Sequence, residues 1–255
     1  MIRLSTLVCI ILFINWQAFG WGKTGHRVIG KIAAEYLSKK AEKKVTAILR
    51  GETLAMAGNY MDEIRSEPDY KFLDPWHYCS IPEGLTYKEA GTPEEGDIIM
   101  ALERLTGELR TKNFTLGDET FTLKLLIHLI GDIHQPLHVG NGLDRGGNDL
   151  KVEYFWEPSN LHRVWDSGII DGQQLSYTEY SEWINHPDEE QVKEWQASGI
   201  MDWAMESAGY RDQVYDLPEN KKINYRYDYD NISLINKRLL QAGIRMAGIL
   251  NDIYG

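Results

Sequence analysis

Along most of this chain, apolar residues recur every three or four positions, the spacing that gives a helix one buried face. Gly25 to Leu37 carries Val28, Ile29, Ile32, Ala33, Tyr36 and Leu37 in that pattern. A second short helix is predicted over Ala41 to Leu49, stopped by Gly51. Leu54 to Arg65 reads as one helix, Pro68 to Pro82 as extended or irregular, and Asp97 to Leu109 as helix again. Asp118 is placed to cap a long apolar helix that runs to Pro136, where the ring must end it. Val192 to Ser207 and Leu234 to Tyr254 complete the helical patterns, and the polar stretch Ser176 to Glu190, with Pro187, reads as part loop. Only Leu150, Val152, Tyr154 and Trp156 alternate with polar residues, making this the one strand candidate. The expectation is a mainly α, single-domain fold with a short β-hairpin or strand segment. No repeat, linker or low-complexity tract divides the chain.

The first twenty residues stand apart. Arg3 gives a positive start, Leu7 to Ile14 is an apolar run, and Ala18-Phe19-Gly20 is a small-x-small cleavage signal. The run is too short for a stable span. We therefore read residues 1–20 as a signal peptide and 21–255 as the mature domain, with Trp21 as its first residue; an uncleaved anchor is the competing reading. One cysteine, Cys79, then remains, so no intrachain disulfide is possible. Nothing beside Cys79 marks it as an activated nucleophile. The formal net charge of -11 argues against a basic nucleic-acid groove of the usual kind.

Candidate chemistry concentrates between His128 and Asp166, where four of the seven histidines fall. His128 and Asp132 are four apart and share a helix face. Pro136 places His138 just beyond that helix, and His162 and Asp166 are again four apart. Neutral imidazole and carboxylate are ligands for borderline divalent metals. A lone pair of this kind is usually a surface accident; two pairs and a third histidine point to a metal site. Upstream, a freed Trp21 amino group and carbonyl oxygen can chelate a metal, with His26 adding a nitrogen. Asp62 alone would be a solvated helix carboxylate, and His77 alone a packed imidazole.

Taken together, WGKTGH, MDEIR, WHYCSIP, HLIGDIHQPLH, DRGGND and NLHRVWD resemble, in order, the motifs of the zinc-dependent S1/P1 nuclease family. The resemblance spans essentially the whole mature chain and implies a helical phospholipase C/P1 nuclease-like fold. It implies three Zn2+ ions. Asp62, His77 and His128 would hold one, Trp21 and His26 a second, Asp132 would bridge these two, and His138, His162 and Asp166 would hold the third. His134 and His186 are left without a metal role. Asp62 and Arg65 would be catalytic, the first orienting water and the second contacting phosphate. Tyr78 resembles the family's base-stacking aromatic and Asn148 the asparagine of its Gly-Gly-Asn. Ser80 stands where many members carry a base-contacting aspartate, which puts base preference in doubt.

The implied activity is an exported endonuclease giving 5′-phosphate products from single-stranded DNA or RNA, with 3′-nucleotidase activity. The implied state is a monomer, periplasmic or secreted, without stable membrane association. A zinc phospholipase C is the nearest rival, and a non-catalytic exported zinc-binding protein the rival from another class. Asn113-Phe-Thr115 and Asn231-Ile-Ser233 match the glycosylation sequon. The missing cysteines point to a bacterial exported protein, in which neither sequon is expected to be used.

Overall fold

The structure, a computed structural model, describes residues 20–255; the signal-peptide reading of residues 1–19 lies outside the described residues. Helices α1 (Lys23–Glu35), α2 (Lys39–Ile48), α3 (Leu54–Ala57) and α4 (Tyr60–Ile64) lead into a 3-10 stretch, Pro68–His77, and strand β1 (Cys79–Ser80). Then come α5 (Tyr87–Ala90), α6 (Ile98–Thr111), α7 (Glu119–Ile133), a 3-10 turn at Pro136–His138 and β2 (Val139–Gly140). The hairpin β3 (Lys151–Tyr154) and β4 (Glu157–Asn160) precedes α8 (Leu161–Arg163), a π-helical turn at Val164–Gly168 and α9 (Ile169–Gly172). The chain closes with α10 (Tyr177–Ile184), α11 (Glu189–Ala197), α12 (Ile200–Gly209), α13 (Arg211–Val214), β5 (Lys222–Ile223) and α14 (Tyr225–Tyr254). The fold is mainly α, with few short strands.

The apolar stripes of α1, α6, α7 and α14 meet in one contiguous core, with Ile29, Ile32, Leu105, Leu126, Ile130, Leu239 and Ile244 fully enclosed. Helix α7 runs through the middle and is buried along almost its whole length. Asp118 caps it as expected, accepting from Phe121 N at 2.8 Å. Among the described residues no helix is long and apolar enough to cross a membrane.

Several boundaries depart from the apolar pattern, each for a local reason. The helix expected over Leu54–Arg65 breaks at Gly58, whose carbonyl turns to accept from His128 Nδ1 at 2.7 Å. The irregular segment before β1 is largely 3-10 helix. The part-loop expected at 176–190 is the stretch 185–188 around Pro187, and the rest is helix, each helix begun by a capping box, Ser176 with Glu179 and Asp188 with Gln191. Helix α14 begins nine residues before its apolar pattern does, because buried Tyr227 anchors it: its hydroxyl donates to Val214 O at 2.5 Å and accepts from Trp165 Nε1 at 2.7 Å. Strands β1 and β2 pair in parallel, Cys79 with Val139 and Ser80 with Gly140. Two-residue strands leave no periodic trace in a sequence. The two sequons also differ. Asn113 is exposed beyond the end of α6, whereas Asn231 is buried in α14 and donates to Tyr227 O.

Behind the C-terminal end of α7 lies a polar knot. Arg238 and Arg245 are almost fully enclosed, and both donate to Glu206, at 2.6 to 2.7 Å. Arg238 Nε also donates to His134 O at 2.9 Å, and Ser207 Oγ donates to Ile133 O at 2.6 Å. Glu206→Gln strips both guanidiniums of their counter-charge. It is expected to lower the unfolding free energy by about 3 kcal/mol, the low end for a broken buried pair. The Glu206 side chain keeps 34 % of its surface in water, which softens the loss. Urea unfolding of the metal-loaded protein measures this, and a loss below ~1 kcal/mol would show that backbone carbonyls alone satisfy the two arginines.

Candidate metal centre

Six chain segments converge beside α7. Helix α7 supplies His128 and Asp132, both 0 % exposed, one turn apart on the same face. His26 comes from the first turns of α1 and Asp62 from α4. His77 ends the 3-10 stretch before β1, and His138 ends the 3-10 turn before β2, so the β1–β2 pairing brings these two imidazoles together. His162 lies in α8 and Asp166 in the π-helical turn after it. Local π geometry often marks functional positions.

Asp132 is the centre. Its Oδ1 is 3.3 Å from His26 Nε2; its Oδ2 is 2.9 Å from His77 Nδ1, 3.1 Å from His128 Nε2 and 3.8 Å from His138 Nδ1. His162 Nε2 is 3.1 Å from Asp166 Oδ2, and His138 Nε2 is 3.9 Å from Asp166 Oδ1. Three groups have donor atoms close enough to share an ion: His26, Asp62 and His128; His77, His128 and Asp132; His138, His162 and Asp166. The third coincides with the expected set. The first two draw on the expected residues but divide them differently, with Asp62 beside His26.

The donors fit a metal by another measure. Buried side-chain atoms without any hydrogen-bond partner include His26 Nε2, Asp62 Oδ1, Asp132 Oδ1 and His138 Nε2. Orphaned polar atoms are costly in a folded interior, and here they point at one another. A cation between them would satisfy them together.

Backbone carbonyls orient the rings. Gly58 O lies 2.7 Å from His128 Nδ1, His77 O lies 2.5 Å from His138 Nδ1, and Gly146 O lies 2.6 Å from His162 Nδ1. Each contact fixes the proton on Nδ1 and turns the Nε2 lone pair inward. Gly146 has φ +61, and a Cβ there would meet Leu137 O at 2.2 Å, so only glycine brings this carbonyl to His162. Gly131 gives room for His26, whose ring stacks on His128 with centroids 4.1 Å apart.

Sequence reasoning missed Gln135. Its amide donates to Asp166 Oδ1 at 2.6 Å and its Oε1 accepts from Leu137 N. The residue stood in plain view in QPLH, but only contact geometry shows what it holds. His134, outside the cluster, has Nδ1 on Ile130 O and Nε2 3.0 Å from Arg245.

The chain near Trp21 reaches the same place. Trp21 is fully buried, Gly22 N donates to Asp166 O at 2.7 Å, and a Cβ at Gly20 would sit 1.7 Å from Asp132 Oδ1. The peptide at residue 20 is therefore pressed against the central carboxylate.

The cluster opens into a cavity of about 620 Å³ whose lining includes His77, His138 and His162. Tyr78, Ser80 and Asn148 also line it; Tyr78 is half exposed, and the Asn148 side chain donates to Arg145 O at 2.8 Å. Arg65 lines it with Nε held by Asp74 at 3.1 Å. Cys79 is a lining residue too, but burial pushes its thiol well up, so it supplies no thiolate.

A model of the S1/P1 Nuclease family matches residues 21–255. The chain is 29% identical to Endonuclease 2 of Arabidopsis thaliana, over 96% of this chain and 94% of that protein. It is 31% identical to Nuclease S1 of Aspergillus oryzae, over 66% of this chain and 60% of that one. Among solved structures, the alpha toxin from Clostridium absonum aligns with 15% identity and a TM-score of 0.48, covering 93% of this chain and 67% of the toxin.

Burial and proximity set the cluster's protons. Burial draws the His128 pKa down, but the carboxylates of Asp132 and Asp62 outweigh it and raise the value to about 9. Burial, with His162 adding to it against the pull of Asp132, lowers His138 to about 3. Burial and His128 lower His26. Burial raises Asp166 to about 6 in spite of His162. A raised histidine stabilises the fold fully below its ordinary value of 6.5 and loses that contribution as pH climbs through the folded value. The depressed histidines His26, His134 and His138 finish deprotonating in the unfolded chain only about one pH unit above that ordinary value, so His128 dominates from roughly 7.5 to about 9. Chelator-stripped protein is expected to lose up to ~2 kcal/mol of stability across that window. Zinc-loaded protein should gain across it, because ligands bind metal deprotonated. Thermal unfolding at several pH values checks both; a metal-free midpoint that rises across the window contradicts the account.

Proposed function

The chain belongs to the S1/P1 nuclease family and is on that ground a nuclease of nucleic acids; from this premise we propose an exported, zinc-dependent phosphodiesterase that cleaves single-stranded DNA and RNA to 5′-phosphate products and also acts on 3′-nucleotides. One observation carries the reading. Two of the three donor groups reach one cavity, through His77 and through His138 and His162, and that cavity is also lined by Arg65, Arg145 and Lys151 and by no carboxylate among the described residues. A protein of net charge -11 thus keeps a positive pocket where a phosphodiester would meet metal.

Asp62, His77 and His128 would hold one of three zinc ions; His128 Nε2 lies within 3.9 Å of Asp62 Oδ1 and 3.2 Å of His77 Nδ1, which supports that grouping. The freed amino group and carbonyl oxygen of Trp21, with His26, would hold a second, with Asp132 a ligand available to both. His138, His162 and Asp166 would hold the third. When bound, the ions supply Lewis-acid charge and acidify a water for in-line attack at phosphorus.

The chain's own residues do the rest. Asp62 Oδ1, buried and unpartnered, orients the attacking water and accepts its proton. Arg65, steadied by Asp74, offers its guanidinium to the phosphoryl oxygens. Tyr78 stacks against an unpaired base at the cavity rim. Ser80 and Asn148, lining the same cavity, contact the base or its backbone. Such a recess admits a splayed strand and excludes a paired one. Mature protein acts as a monomer in the periplasm or outside the cell.

Processing is part of the site, since only a free amine at Trp21 can bind metal and Gly20 otherwise abuts Asp132. Protein beginning at Trp21 is expected to hold about three zinc ions and to digest a single-stranded oligonucleotide. Protein retaining Gly20 should lose part of its zinc and roughly a hundredfold in activity. Asp62→Asn in the mature protein should cost about a thousandfold in kcat. Elemental analysis and a panel of single-stranded DNA, RNA, 3′-nucleotides and phosphatidylcholine measure this. Preference for the lipid, or zinc without hydrolysis, would sink the proposal.

A further inference from the structure

Three cationic side chains line the cavity, and they are not equivalent. Arg145 is clamped by Asp149, with contacts of 2.6 and 3.1 Å, and Arg65 is held by Asp74 at 3.1 Å. Lys151 makes no ion pair among the described residues; its Nζ donates to Asn148 O at 3.0 Å and to no carboxylate. An ammonium has three donors. One is spent on a backbone carbonyl, leaving two, and although Asp149 feels the charge, no carboxylate among the described residues is hydrogen-bonded to it.

The fold ties this charge to the segment that carries His162. Lys151 opens β3 directly opposite Asn160 on β4, and Asn160 caps the short helix that carries His162. Val152, next along β3, faces the core, so the pleat turns Lys151 outward to the cavity wall. The Asn148 carbonyl that steadies Lys151 belongs to the tight turn whose Gly146 carbonyl orients His162. Arg65 lines the same cavity but follows Asp62 by three residues, on the segment that carries that donor. A phosphate held over the donor groups would therefore have Arg65 beside it. Lys151 is tied instead to the strand and turn that position His162.

We infer that Lys151 forms a second phosphate subsite, which binds a non-reacting phosphate of the same strand, one nucleotide or more from the one being cleaved. This rests on the nuclease reading. It makes Lys151 a determinant of substrate length, since a mononucleotide has no phosphate to offer it. The carbonyl contact limits the flexibility of the lysine stem, so less rotamer entropy is lost when phosphate arrives. Because the wall is open to solvent, this contact should respond to salt as a strand phosphate contact does.

The test compares wild type, Lys151→Gln and Lys151→Arg as zinc-loaded mature protein, on a thymidine decanucleotide and on a 3′-mononucleotide. For Lys151→Gln the KM for the decanucleotide should rise about tenfold with a much smaller change in kcat, the fold-change expected when one charged contact is lost. The slope of log kcat/KM against log salt should become shallower by roughly 0.7, the share of one phosphate contact on a single strand. Lys151→Arg should restore both. An unchanged salt slope overturns the subsite, as does an equal rise in KM for both substrates, which would place Lys151 on the reacting phosphate. Wild type that digests neither substrate fails the nuclease reading itself, and that outcome is distinct from wild type that digests both with Lys151→Gln indistinguishable from it.

Discussion

A carboxylate with no access to water cannot remain ionised without positive charge around it, and Asp132 is such a group. Burial works against its charge, yet His128 and His138 hold its pKa well below the ordinary carboxylate range. The whole fold answers to this one constraint. Helix α1 delivers His26 to one carboxylate oxygen, while the 3-10 stretch before β1 delivers His77 to the other, beside His128 of α7 itself. The two halves of the chain are joined by what the carboxylate requires. Imidazoles alone meet the requirement incompletely, as the orphaned atoms of His26, Asp62, Asp132 and His138 show. Divalent ions bound there would complete it, and such ions are the reagent that phosphodiester chemistry uses.

The imidazoles must present lone pairs rather than protons, and the backbone decides this. Gly58, His77 and Gly146 contribute carbonyls to three of the rings, and each carbonyl is available because its segment departs from regular structure. Helix α3 stops at Gly58 instead of running on into α4. The chain extends at His77 into the parallel bridge with β2. The turn at Gly146 takes a left-handed backbone. Irregularities that look like defects in the helical pattern are thus the places where second contacts to the donors are made.

This explains which parts of the molecule could be read from residues alone. The helices of the core were legible because their apolar stripes face one interior: α1, α6 and α7 lie close to their expected bounds. The residues of the cluster were legible because pairs four apart on a helix share a face, and because a resemblance linked them to donors distant in sequence. The break at Gly58, the β1–β2 bridge and the capping-box helices at 176–197 were not legible, because hydrogen bonds set them and hydrophobic period does not. The division of donors between the first two groups was beyond reach for a related reason. His128 and Asp132 serve more than one neighbour, and spacing cannot apportion shared ligands.

The buried arginines follow from where Asp132 sits. It lies in the last turn of α7, where unpaired carbonyls and the helix dipole already carry partial negative charge. A carboxylate at that end is electrostatically misplaced unless cations stand near. On the cavity side the imidazoles stand there, and any metal they hold would add to them. On the core side, Arg238 donates to His134 O, the carbonyl just beyond the helix, while Arg245 approaches His134 from its ring side. Burial and the two guanidiniums hold the His134 ring neutral, so its Nδ1 proton can satisfy Ile130 O. Enclosing two guanidiniums costs desolvation, and Glu206 at the edge of water supplies their counter-charge. The polar knot thus allows an acid to stand at the wrong end of a helix, and the donor cluster needs its acid at that position.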